Sequence, residues 1–97
     1  MNICATTTVV ASRNQVSCEL AGEAAILNLE NSVYYGLDPV GARIWSLIQA
    51  PVSVTALRDA IVAEYNVDAQ RCEQDLRELL AQLADAKLIQ LAHPRTA

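Results

Sequence analysis

Few side chains in this sequence are equipped for chemistry. His93 is the one histidine, and it lies beside Pro94 near the end of the chain. A general base must be held within hydrogen-bond reach of the proton it takes. A terminal stretch with no periodic pattern gives His93 no such support, so it reads as part of a frayed tail. The thiols are Cys4, Cys18 and Cys72. A nucleophilic cysteine needs a neighbouring base or cationic surroundings to raise its thiolate fraction, and none of the three has a histidine or basic cluster near it in sequence. Their odd number and irregular spacing match no zinc or redox motif, and reduced thiols of a cytoplasmic protein are the simplest reading. Gly22, Gly36 and Gly41 stand alone, so there is no glycine-rich phosphate cradle. The expectation is a protein that is not an enzyme, with no catalytic residue, no metal and no cofactor.

The carboxylates say more about partners than about catalysis. Eleven Asp and Glu outweigh seven Lys and Arg, for a net charge of -4. A duplex-binding surface neutralises phosphates with clustered cations. The cations here are scattered, so nucleic acid is not an expected partner. Glu73, Asp75, Glu78 and Asp85 share one stretch with Arg71, Arg77 and Lys87. That pattern reads first as a solvated helix face with local ion pairs, and second as a rim that meets a peptide carrying Lys or Arg. No apolar run is long enough to cross a membrane, and no signal-peptide pattern opens the chain. A membrane is therefore not an expected partner either.

Positioning any site falls to elements that the residue pattern outlines. The 97 residues amount to one domain, 1–97, with a core over about 5–91 and a tail over 92–97. Thr6–Val10 is β-branched throughout, which suits a pleated surface. Val16–Leu20 alternates apolar and polar, Ala21-Gly22-Glu23 is a turn, and Ala24–Leu29 is a further strand. After Glu30-Asn31-Ser32, the segment Val33–Leu37 ends a meander. Asp38 caps a helix that opens with Pro39 and ends by Pro51. Ser53 caps a second helix through Tyr65, and Asp68 caps a third. On the third, Cys72, Leu76, Leu79 and Leu83 form the predicted core stripe. Lys87–Leu91 extends this helix or forms a short strand. Strands followed by segregated helices predict an α+β class, with a three-stranded antiparallel sheet and three helices in a winged helix-turn-helix-like order.

Two stretches carry a family resemblance. Leu27–Trp45, reading LNLENSVYYGLDPVGARIW, and the later Tyr65-Asn66-Val67-Asp68 followed by Asp75-Leu76 and Leu79-Leu80-Ala81-Gln82-Leu83 resemble PqqD-like proteins. These are the peptide-recognition elements of ribosomally made, post-translationally modified peptides. The likeness runs from roughly Val16 to Leu91. One departure is that family members often carry Gly just after the third helix, where this chain has Ala86-Lys87.

The resemblance implies a non-catalytic peptide chaperone. A precursor's leader peptide would add as a strand to Ser32, Val33, Tyr34, Tyr35, Gly36 and Leu37, in the groove beside the third helix. Main-chain bonds would supply sequence-tolerant affinity, and pockets for alternate side chains would supply specificity. With the stripe above taken as core, one flank of the third helix holds Glu73, Arg77, Leu80 and Ala84, and the other holds Arg71, Asp75, Glu78 and Gln82. The favoured groove wall is the first, giving Glu73, Leu76, Arg77 and Leu80 as contacts. Leu80 is equally readable as core, Tyr34 and Tyr35 as sheet packing, and Trp45 is read as core. Val-Tyr-Tyr-Gly-Leu-Asp and Gly-Ala-Arg-Ile-Trp look most like stand-alone proteins of lasso-peptide pathways. There the partners would be a precursor leader and a leader protease or modifying enzyme. The alternatives are a chaperone for the pyrroloquinoline quinone precursor or for a radical-enzyme (radical-SAM) substrate, and a winged-helix DNA regulator. Both monomer and homodimer are open. Ile26 and Tyr34 are expected on the open sheet face.

Overall fold

The structure is a computed structural model that describes residues 3–92; the reading of His93 and the tail from 93 onward lies outside the described residues. Six strands and three helices are formed by them, in the order β1 (Thr8–Ala11), β2 (Gln15–Leu20), β3 (Glu23–Asn28), β4 (Tyr34–Leu37), α1 (Pro39–Leu47), β5 (Val52–Ser53), α2 (Val54–Tyr65), α3 (Ala69–Asp85) and β6 (Ile89–Ala92). The class is α+β, as the patterns predict. The strands divide into two three-stranded antiparallel sheets, ordered β5-β1-β6 and β2-β3-β4. The N-terminal β-branched run therefore does not join the meander. Val9 is buried and pairs across to Val52 on one side and Leu91 on the other. The segment after α3, read above as helix or strand, is the strand that closes this small sheet. Ala92, assigned to the tail, is its last residue.

The meander follows the period-two pattern. Ala24, Ile26 and Asn28 of β3 point inward, and Leu37 and half-buried Tyr35 of β4 share their face. Ile26 is thus core, not open face as expected. Ala21 and Gly22 close the β2–β3 hairpin with φ of 55° and 83°, the two left-handed residues that a primed two-residue turn requires. Val16, Leu20 and Tyr34 turn to the other face and are 57%, 79% and 72% exposed.

All three expected N-caps form. Asp38 accepts from the Gly41 N–H at 2.8 Å, Ser53 from Ala56 at 3.1 Å and Asp68 from Arg71 at 2.9 Å. Each satisfies a donor that the first helical turn leaves free. Gly41 permits a close approach here, since a Cβ would lie 3.2 Å from Leu37 Cβ and 3.3 Å from Asp38 Oδ1, tighter than ordinary contact. Trp45 is buried as expected, and its Nε1–H donates to Ser17 Oγ at 3.0 Å.

The end of α3 resolves the departure from the family pattern. Lys87 takes the left-handed conformation, φ 61°, that Gly holds more easily. Leu88 N–H bonds Leu83 C=O at 2.9 Å and Lys87 N–H bonds Ala84 C=O at 3.0 Å, the paired bonds of a Schellman cap. Leu83 and Leu88 are both buried, as the accompanying apolar contact needs. The Ala86 carbonyl accepts from buried Asn28 Nδ2 at 2.8 Å, while Asn28 Oδ1 accepts from Glu30 N–H at 2.8 Å. One side chain thereby ties the end of β3 to the end of α3.

Candidate functional site

The backbone of β4 defines the site before any side chain does. Asn28 N–H donates to Val33 C=O at 2.9 Å, and the register continues as Leu27↔Tyr34, Ile26↔Tyr35, Ala25↔Gly36 and Ala24↔Leu37. Antiparallel pairs alternate between bonded and non-bonded. Tyr35 and Leu37 therefore spend their N–H and C=O on β3, Val33 gives β3 only its C=O while its N–H donates to Asn31 Oδ1 at 3.0 Å, and Tyr34 and Gly36 aim theirs outward. No described strand pairs with that side. Ser32 and Val33 precede the strand, and Ser32 turns away from its line at φ 60°. Of the six edge positions predicted, Tyr34–Leu37 form the strand, and two of these four carry the free backbone groups.

Beside this edge lies a groove of about 540 Å³. Gly36 and Leu37 form one wall, and Val40 and Ile44 of α1 with Ile61 and Tyr65 of α2 contribute its apolar floor. The opposite wall is α3, through Arg71, Cys72, Asp75, Leu76 and Leu79. Which flank of α3 this is differs from the expectation. The buried stripe is Cys72, Leu76, Leu80 and Leu83, so Leu80 faces the core and half-buried Leu79 faces the groove. The period admits either leucine, and packing against the other elements decides between them. With the helix turned this way, Glu73 and Arg77 point away from the groove. They form a pair at 3.6 Å, and Glu73 also meets Arg58 of α2 at 3.6 Å. Of the predicted α3 contacts only Leu76 lines the groove. Val40, Ile44, Ile61, Tyr65, Val67 and Leu79 were missed, since only the close packing of α1 and α2 brings the first four to one place.

The groove is apolar with a thin polar rim. Arg71 Nε and Asp75 Oδ2 are 3.5 Å apart, both largely exposed, and Asp38 spends Oδ1 on its helix cap. Burial pushes the Cys72 thiol up, with Asp75 and Glu73 adding and Arg58 opposing. The thiol therefore stays protonated and behaves as a small apolar group. Cys4 is the contrasting thiol. Hydrogen bonds from the Thr6 hydroxyl, and then that of Thr7, lower it to about 6, but it does not line the groove. Among the described residues no cluster of His, Cys, Asp or Glu could hold a metal, and no helix is long and apolar enough to cross a membrane. An open strand edge beside an apolar groove can bind extended chain through main-chain bonds and one row of side-chain pockets.

The fold and groove define an α+β domain whose meander keeps an unpaired edge alongside a helix. The family described as coenzyme PQQ synthesis protein D (PqqD) matches residues 23–89, and the chain belongs to this family. The solved structure of TbiB1 in complex with the TbiA(β) leader peptide is 38% identical to it, with a TM-score of 0.79, covering 89% of this chain and 99% of its own. Among curated protein sequences none matches.

Proposed function

We propose that this protein recognises the leader of a ribosomally made precursor peptide, adding it as a strand to Tyr34–Leu37, and presents it to a separate protease or modifying enzyme. The observation that carries this reading is the outward row of N–H and C=O groups on Tyr34 and Gly36 beside an apolar groove. The similarity to TbiB1, whose solved structure holds a leader peptide, supports it. In the bound state Tyr34 and Gly36 exchange main-chain hydrogen bonds with the leader. Alternate leader side chains then enter the groove against Leu76 and Leu79. The contribution of each is sequence-tolerant bonding on one side and apolar burial, at roughly 25 cal/mol per Å², on the other.

The pathway we assign is that of a lasso peptide, on the Val-Tyr-Tyr-Gly-Leu-Asp and Gly-Ala-Arg-Ile-Trp segments and on the relationship to TbiB1. The protein acts in the cytoplasm, as a binding partner without catalysis of its own. Nucleic acid does not suit it, because Arg43, Arg58, Arg71 and Arg77 are each engaged with carboxylates, which leaves only Arg13 and Lys87 unpaired among the cations of the described residues to neutralise phosphates.

The test is a titration of the isotope-labelled protein with the TbiA(β) leader peptide, the ligand in the TbiB1 structure, followed by backbone amide resonances. The amides of Tyr34 and Gly36 are expected to shift most, with Leu76 and Leu79 following. A leader that binds while leaving both amides unmoved overturns the strand-addition reading.

A further inference from the structure

The meander has a second free edge, and its chemistry is self-complementary. Leu29 N–H bonds Asn14 C=O at 3.1 Å, and the β2–β3 register runs unbroken from Gln15↔Asn28 to Leu20↔Glu23. By the same alternation, Val16, Cys18 and Leu20 spend their backbone groups on β3, while Ser17 and Glu19 aim theirs outward. No described strand pairs with that side. Natural edges are usually blunted by charged side chains, Pro or a bulge; β2 has no Pro, Lys or bulge, and Glu19 is its one charge. A shallow groove of about 290 Å³ runs along it, with Trp45 and Ser46 of α1 and Gln49 just after it opposite Ser17 and Glu19.

We infer that β2 pairs antiparallel with β2 of a second copy of this chain, about a two-fold axis at Cys18, to make one six-stranded sheet with both β4 edges outermost. Any two-fold centred on a residue of β2 places outward groups opposite outward groups, and one centred on Glu19 sets the two Glu19 side chains directly against each other. One centred on Ser17 sets Leu20 against Asn14 of the second copy, and one centred on Val16 sets Cys18 against Asn14. Centring on Cys18 sets Val16 against Leu20 and Leu20 against Val16, so the two most exposed apolar side chains of the strand cover each other. The same register sets Ser17 opposite Glu19. Ser17 Oγ already accepts from Trp45 at 3.0 Å, and its own O–H has no acceptor among the described residues. The Glu19 carboxylate, which has no ion-pair partner among them, supplies one.

The charge pattern opposes this pairing in a way that can be read out. The stretch 14–37 carries Glu19, Glu23 and Glu30 with no Lys or Arg. In the pairing the two Glu19 side chains stand on a diagonal of about 7–8 Å. That repulsion is screened over a Debye length of about 8 Å at physiological ionic strength, so added salt should tighten the dimer. The proposal is independent of peptide binding, because it leaves both Tyr34–Leu37 edges open.

The experiment is sedimentation of the full chain over a concentration series at low and high salt. The expected result is a monomer–dimer equilibrium that strengthens with salt. In a Cys4→Ser background, oxidised glutathione should link the dimer through Cys18, since non-bonded pairs hold their Cα atoms about 4.5 Å apart, within disulfide range. Glu19→Pro deletes an outward N–H without touching the bonds to β3 and should weaken dimerisation at least tenfold. Leu20→Ser, at an exposed position that costs the monomer little, should do the same, and it decides the matter if the proline variant does not fold. A chain that stays monomeric throughout, or a dimer indifferent to Leu20→Ser, overturns the proposal.

Discussion

β4 and β2 are the two outer strands of one three-stranded sheet, and each turns alternate backbone groups away from β3. Their surroundings set them apart. β4 is short, and its free edge opens on an apolar groove walled by Leu76 and Leu79. β2 is longer and exposed along almost its whole length, and its edge opens on a shallow groove lined by Ser17, Glu19, Ser46 and Gln49. Unpaired backbone offers the same bonds at both. The lesson is that the neighbouring helix decides what an edge can read. An apolar wall rewards particular side chains of an extended guest, whereas a polar, acidic margin rewards a partner that satisfies its own donors and acceptors.

The largest expected effect probes what holds the groove wall in place. Leu80→Ala removes a side chain with no exposed surface and should cost about 2–5 kcal/mol of stability, measured by urea unfolding. Leu79→Ala, one residue earlier on the groove side, should cost far less stability and instead weaken leader binding. Equal stability losses would show that α3 is turned otherwise. Next come the two edges themselves. Gly36→Pro removes an outward N–H and should cost leader binding about 1–3 kcal/mol by isothermal titration, while Glu19→Pro on the other edge leaves leader affinity unchanged. An equal loss from both would erase the distinction between the edges.

Smaller effects sharpen the picture at α3. Lys87→Gly should relieve the left-handed cap and raise stability by about 0.5–1 kcal/mol, read as a higher melting temperature with leader affinity unaltered. Arg77→Ala should change stability by no more than about 0.5 kcal/mol, since exposed ion pairs contribute little. It should also leave the leader dissociation constant where it was, because Arg77 pairs with Glu73 on its own helix and does not line the groove. A marked loss of leader affinity in this variant would return the groove to the other flank.

Much of this was legible in the residues. The strand at Val16–Leu20, the turn at Ala21-Gly22 and the caps at Asp38, Ser53 and Asp68 read correctly, because each depends on a few neighbouring residues. The half-buried strand that the alternation predicts is not found, since Val16 and Leu20 face solvent. Family membership was legible too, from Leu27–Trp45 and the third-helix segment. The groove was half legible. Gly36, Leu37 and Leu76 of the expected contacts line the groove, but Leu79 lines it where Leu80 was expected. The turn of α3 about its axis depends on what α2 and β6 present to it, and a helical period that accepts both leucines carries no record of that.

What the sequence determined by itself was therefore local. Caps, turns, strand phase and helical period follow from backbone sterics and from side chains within a few positions of each other. Tertiary structure alone decided that Thr8–Ala11 pairs with Val52–Ser53 and Ile89–Ala92, that Lys87 carries a glycine's conformation with Asn28 bonded to the carbonyl before it, and that Leu79 rather than Leu80 meets the groove. In each case the deciding contact joins residues far apart in the chain. Burial and hydrogen bonding settle such choices only once the distant elements have packed, so the α3 face that walls the groove was fixed last.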